Sequence, residues 1–457
     1  MLDFKWIFFI GLGIFVVFLF AVVRDKKQFM LFLVGLFYVF PTGFIFYHYT
    51  GILLVDFPLI ALLFLSLSSG KKFKFYYPGY SPAILVLIVW MTFSSFQAID
   101  VGWGIAQVSK WVRGYLIFIV VANNVRGFKS LNTVLFSLLT GFLFESLLAA
   151  YHWRVGPLGL WFLGERMFQS EPWRSYGTFY VPSYLANYLI VLLPLFMRLG
   201  VYFKQPNRNL RLLYFVTTLL GVLALYTTYG RSSWIGFTLA VAISTAVSLF
   251  SSKLKPKLKW PLVSIIVGGA SFIIYYIPYI IRQFGAERQG AVDIRYIQWD
   301  VALRLIADNP LFGSGPDNYT LFAGPYTIPM PGIQDWLLTE MVHNSYLLIT
   351  AEGGIIPGIA FLILLFNYFL KGLPLLKSKS PLLVNVGLGM VLGIVSIMFS
   401  FIASPDIHNE QMINQLMIIA GIIVACYHMN MQINRAAKIK KSQQPGFPRQ
   451  MSFSPKQ

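Results

Sequence analysis

The chain has 457 residues, of which 57% are apolar, 17% aromatic and only 12% charged, with a formal net charge of +19. A water-soluble globular domain carries about 25% charged residues, so this composition excludes one and points to an all-α polytopic membrane protein. Its single cysteine, Cys426, excludes a disulfide framework.

Apolar runs long enough to cross about 30 Å of hydrocarbon as helix recur along nearly the whole chain. They fall at 6–23, 29–47, 52–69, 81–97, 104–122, 131–151, 179–199, 212–229, 234–250, 261–281, 343–370, 382–403 and 412–429, which predicts thirteen spans. The first run lacks a small-residue cleavage site and is followed at once by RDKK and a second apolar run, so it reads as an uncleaved span. One transmembrane domain is thus expected over 1–434. The basic, proline-containing segment 435–457 is expected to be a disordered cytoplasmic tail beside anionic lipid headgroups.

Loop charge alternates. The segments RDKK, KKFK, VRGFKS, 198–211, SSKLKPKLK, KGLPLLKSK and the tail hold 25 of the 36 Lys and Arg but only one of the 17 acids, Asp25. The positive-inside rule makes that face cytoplasmic, and the net charge is topology, not a nucleic-acid footprint. Nine of the eleven basic residues left on the other face are arginine, whose planar fork suits bidentate phosphate binding.

Two outer loops are long, 152–178 and 282–342, and loops of that length are generally functional. Between two spans, YGRSSWIGF places Arg231 at the outer side, where Ser232 or Ser233 is expected to N-cap the following helix. Inside the second loop, DIRYIQWDVALRLIADNP predicts an amphipathic helix over 293–309, with Tyr296, Trp299, Leu303 and Ile306 at helical spacing and Pro310 as the stop. Asp300, Arg304 and Asp308 share one stripe, so Arg304 has acids on both sides. Arg295 lies on the opposite side and in the first turn, where backbone N–H groups favour an anion. The loop ends in HNSYLLITAEGGIIPG. His343 and Asn344 fall at the outer rim, whereas Glu352 is expected about 13 Å deeper by helix rise and half a turn away, which excludes a simple dyad and suggests a structural partner on another helix. Gly354 and Gly358 read as a smooth packing strip, and Pro357 as a kink.

Taken together, GRSSWIGF, RYIQWDVALRLIADNPLFGSGPDNY and HNSYLLITAEGGIIPG, within 210–370, resemble the O-antigen ligase and polymerase superfamily. That resemblance implies a GT-C-like fold and a metal-independent, inverting glycosyltransferase without cofactor. It would act at the periplasmic face of a bacterial inner membrane, on glycans carried by undecaprenyl diphosphate, in lipopolysaccharide or other polysaccharide biosynthesis. By it, His343 is the base, Arg231 and Arg295 hold the diphosphate, and Asn344 is an orienting neighbour. Such proteins commonly have about twelve spans with both ends cytoplasmic, so one early segment here is expected not to span.

A ligase would move a preassembled glycan onto a lipid A core or another terminal acceptor, whereas a polymerase would join repeat units. Arginine followed by glycine after ten intervening residues, associated with polymerases, occurs from Arg166 and Arg304 but also from cytoplasmic Arg24 and Arg435, so it does not separate the two. A protein O-oligosaccharyltransferase is a further variant. From another class, an anionic-solute transporter would need polar groups near the midplane, for which Asp56 and Glu145 are the candidates.

Overall fold

A computed structural model describes residues 23–38, 55–68, 81–156, 174–179, 181–204, 206–250, 289–327 and 340–442, and every regular element among them is helical. In chain order the α-helices of nine residues or more are α1 (Lys26–Phe37), α2 (Asp56–Leu67), α3 (Ser81–Ser95), α4 (Val101–Asn124), α5 (Phe128–Val155), α6 (Pro182–Met197), α7 (Arg208–Thr227), α8 (Arg231–Phe250), α9 (Gln289–Asp308), α10 (Ser345–Gly353), α11 (Ile355–Gly372), α12 (Pro381–Ser400) and α13 (Glu410–Ser442). A π-helical turn, Arg198–Tyr202, continues α6. Eight of the described helices are long and apolar enough to cross a membrane: α4 to α8 and α11 to α13; α2 and α3 are shorter apolar helices. The spans expected at 6–23 and 261–281 lie outside the described residues. The last helix runs to Ser442, eight residues into the segment expected to be a disordered tail.

α6 and α13 form the centre of the bundle, each with 89% of its apolar window buried. α13 packs on α4, while α12 packs on both α6 and α8. Glycine sets those last distances. A Cβ on Gly389 would lie 2.6 Å from the Leu195 Cα, and one on Gly393 would run into the Val191 carbonyl oxygen. On the other side, Gly236 of α8 faces the Ser396 carbonyl oxygen at 2.6 Å by the same construction. Small residues four apart let helix backbones touch, and in lipid such packing is a main source of association energy.

The span expected over 343–370 is two helices, not one. α10 stops at Gly354, whose φ of +88° suits glycine alone, and α11 begins anew at Ile355. The segment after α9 enforces the break. Ser314 and Gly315 donate their amides to the Ala351 and Glu352 carbonyls, and Ile355 donates to Pro310. Trp90 donates to the Leu311 carbonyl and stacks on Phe312, and Ser94 donates to the Glu352 carbonyl at 2.9 Å. A Cβ on Gly354 would collide with the Leu311 oxygen. The glycine expected to be a packing strip is therefore a chain reversal clasped by a loop.

Its neighbours place α10 along one end of the bundle. Its first residue, Ser345, donates its amide to Phe401, and its last turn meets Ser94 and the α12–α13 loop. The 13 Å that were expected as depth are thus travelled across one end of the bundle, and of the two helices only α11 is long and apolar enough to cross a membrane. Asp56 and Glu145 are paired structural acids. Arg113 bridges Asp56 at 2.8 Å and Glu410, and Glu145 accepts from the Thr178 amide at 3.0 Å and its hydroxyl at 2.5 Å.

Gly354→Ala should therefore be costly by about 1–3 kcal/mol from backbone strain alone, before the clash with Leu311. Its expected signature is a lower melting temperature and a smaller monodisperse fraction in detergent; wild-type behaviour in both would mean that the reversal is not required.

Candidate functional site

α9 forms because its apolar residues face the short helix α10: Val301, Ala302 and Leu305 bury against Leu348 and Ala351. Of the two acids expected beside Arg304, only Asp300 pairs with it; Asp308 turns to the Tyr326 hydroxyl. Arg304 pairs with Asp300 at 2.6 Å, whereas no carboxylate pairs with Arg295 among the described residues. One turn on from Arg295, the fully buried Gln298 places its Oε1 2.9 Å from His343 Nδ1. An amide oxygen only accepts, so in the tautomer that satisfies this contact Nδ1 carries the hydrogen and Nε2 the lone pair. Tyr319 donates to the Gln298 carbonyl at 3.4 Å, fixing the residue that orients the imidazole.

Arg295 and His343 are brought together. Burial first, and then the Arg295 charge, push the imidazole down to about 4, so His343 is neutral throughout the neutral range. Asn344 serves the fold of this corner. Its side-chain oxygen N-caps α10, accepting from the amides of Tyr346 and Leu347 at 3.0 and 3.1 Å.

The helix start that carries Arg231 is tied to this region through a hydroxyl network. That helix begins at Arg231 itself, so Ser232 and Ser233 lie in the first turn and are not caps. Ser233 instead donates to Asn187 at 2.8 Å, both serines contact Ser400, and Ser400 donates to Asn187 at 2.6 Å. Asn187 donates to Ser404 and Asp406, while Ser345 donates to the Ser404 carbonyl at 2.6 Å. The loop after α12 thus ties the start of α8, bearing Arg231, to the start of α10, which His343 precedes. Burial raises Asp406 to about 7, against the opposing bonds from Asn187 and Ser183. Another arginine, Arg174, bonds the Thr228 carbonyl through Nε and Nη2 at 3.1 and 3.0 Å.

The partner of Glu352 is His408, in the loop before α13. His408 Nε2 lies 2.6 Å from Glu352 Oε2, and its Nδ1 lies 3.3 Å from Asp317 Oδ1. Burial alone would depress this imidazole, but Glu352 and Asp317 outweigh it and raise it to about 9. Burial likewise opposes ionisation of Asp317, yet His408 and Lys110 hold it below the ordinary carboxylate range. Asp317 holds a left-handed backbone at φ 58°, and the Asn318 side chain after it is anchored to both backbone groups of Asp100. The cluster draws on three distant segments, which is why local spacing does not reveal it. Gln298, one turn from Arg295, was within reach of sequence reasoning.

These features define a multi-pass helical membrane protein with a cluster of paired ionisable groups at one end. Residues 216–365 match the family described as O-antigen ligase, so this part of the chain is similar to that family. The match runs from α7 into α11 and includes Arg231, Arg295 and His343. A Haemophilus influenzae protein described as uncharacterized is 24% identical over 226 residues, which cover 46% of this chain and 55% of that one; the chain thus spans about half the length of this relative.

Removing His408 leaves Glu352 buried without its cation, so His408→Ala should destabilise the protein by about 3–5 kcal/mol. A histidine raised on folding contributes stability that is complete below its unfolded value near 6.5 and lost as pH rises through about 9. Melting temperatures of the purified protein should therefore fall between pH 7.5 and 10, and this slope should shrink in His408→Gln; parallel pH curves for the two would exclude the ion cluster.

Proposed function

We propose that this protein transfers a glycan from undecaprenyl diphosphate to an acceptor hydroxyl at the periplasmic face of the inner membrane, as a metal-independent inverting glycosyltransferase of ligase type. The observation that carries this reading is the juxtaposition of Arg295, without a carboxylate partner among the described residues, with a neutral His343 oriented by Gln298. The acceptor oxygen attacks the anomeric carbon while the bond from that carbon to the diphosphate oxygen breaks. Undecaprenyl diphosphate leaves with the bonding electrons, and the hydroxyl proton goes to His343 Nε2. Arg295 and Arg231 hold the diphosphate and stabilise the charge it gains, the electrostatic role that a metal ion fills elsewhere. An imidazole near 4 is a weak base, but a bound diphosphate offsets the Arg295 charge and raises it toward the useful range. Asn344 contributes by setting the first turn of α10, beside His343.

Two acids that a transporter would use at the midplane are engaged with Arg113 and Thr178, which favours the transferase reading. Ligase and polymerase share this chemistry. Loss of every glycan-bearing lipopolysaccharide band in a deletion strain would indicate a ligase, a single repeat on the lipid A core a polymerase, and an unchanged ladder another acceptor, including a protein.

His343→Ala should reduce transfer in proteoliposomes by about 10²–10⁴-fold, the usual contribution of a general base, without loss of folding; normal transfer would sink the assignment. Arg231→Lys and Arg295→Lys should each impair transfer, because an ammonium cannot grip two phosphate oxygens side by side. The pH profile of kcat/KM should hold its acid limb near 4, since the active imidazole is lost only as pH falls through that value. Arg295→Gln should move the limb upward but short of 6.5, burial being the larger cause. An unmoved limb would separate Arg295 from the base.

A further inference from the structure

The opposite end of the bundle holds a cation that the reaction does not use. Arg198, in the π-helical turn after α6, is 5% exposed and wedged between α6, α8 and α12. Its Nη1 donates to Ser248 at 2.6 Å and Ser244 at 3.3 Å, its Nη2 donates to Asn385 at 2.8 Å, and its guanidinium carbon sits 4.1 Å from the Tyr202 ring centroid. All these partners are neutral. No carboxylate reaches Arg198 among the described residues, and its Nε is buried without a partner.

The sequence explains why no acid arrives. The basic face of the chain carries a single acid, Asp25, and Asp25 is already paired with Lys129 at 2.6 Å, where α1 meets α5. A buried charge needs compensation, and on this face the chain has none to give. The unengaged group also has a direction. Nε and Nη2 form one edge of the guanidinium, the edge that grips an oxyanion side-on, and of their three hydrogens only one is bonded, to Asn385. The π turn widens the backbone here, and Arg211 engages its Gly200 and Val201 carbonyls at 3.1 and 3.4 Å, adding a second positive charge beside the first.

We infer that Arg198, with Ser244, Ser248 and Asn385, forms a binding site on the basic face for a phosphate group, carried by an anionic lipid headgroup or free in solution, that supplies the missing counter-charge. The site is independent of the transfer reaction and stands or falls apart from it. Bonds between a phosphate and Arg198 are charge-assisted, so losing one or two of them should weaken binding about 10- to 100-fold.

Native mass spectrometry of the full-length protein tests this, with phosphatidylglycerol, phosphatidylcholine or inorganic phosphate as the probe. The expected result is one phosphatidylglycerol retained in preference to phosphatidylcholine, with retention lost in Arg198→Gln. Ser248→Asp places a carboxylate against the same guanidinium and should displace the lipid while raising the melting temperature in its absence; this variant decides the matter if Arg198→Gln does not fold. Displacement of phosphatidylglycerol by inorganic phosphate would assign the site to phosphate as such, and failure to displace it would assign the site to the lipid. Equal retention of the two lipids by wild type, or undiminished retention of phosphatidylglycerol in Ser248→Asp, would overturn the proposal.

Discussion

A helix that ends inside a membrane protein leaves carbonyl groups that something must satisfy, and the end of α10 is where this chain meets that demand. The amides of Ser314 and Gly315 and the hydroxyl of Ser94 answer the carbonyls of Ala351 and Glu352. Because Ser314 and Gly315 belong to the segment leaving α9, closing the helix end also fixes α9, and with it Arg295 and Gln298. Because Ser94 ends α3, the same bonds fix the pair to the bundle. The ionic cluster of Asp317, His408 and Glu352 lies on this seam and adds the loop before α13. A site of the kind proposed needs groups held to within a fraction of an ångström, and backbone capping would supply that hold.

Charge is distributed with matching economy. Asp56, Glu145, Asp300, Asp317, Glu352 and Glu410 each contact a donor from another residue, so these acids serve structure. The arginines divide into engaged and available. Arg113 and Arg304 are in ion pairs and Arg174 holds a helix terminus, whereas Arg295 faces the imidazole with no acid beside it among the described residues. An anion arriving at Arg295 meets a cation that the fold has left uncompensated, which is the condition for binding energy to be directed at a developing charge.

Several of these features were legible in the sequence, because they depend on neighbours along the chain. Helical spacing from Tyr296 to Ile306 predicts α9 to within a few residues, and the i,i+4 rule separates Arg304 from Arg295. The helix break was not legible. Gly354 looks the same whether it packs on a helix or turns left-handed, and only the loop returning from residue 311 decides which. Depth failed for the same reason, since rise per residue gives length but not direction. Ser232 and Ser233 have capping side chains, yet Asn187 and Ser400 compete for them successfully. His408 lies 56 residues from Glu352, beyond any local rule.

The glycine seam between α6, α8 and α12 bears on how such a molecule can work. Backbones in contact at Gly389, Gly393 and Gly236 leave no lubricating layer of side chains, so one half of the bundle cannot glide past the other without tearing main-chain packing apart. Machines that alternate between inward and outward openings depend on such gliding. The transfer proposed above, with Arg295 and His343 at one end, has no use for it, and a locked keel would keep that end in register.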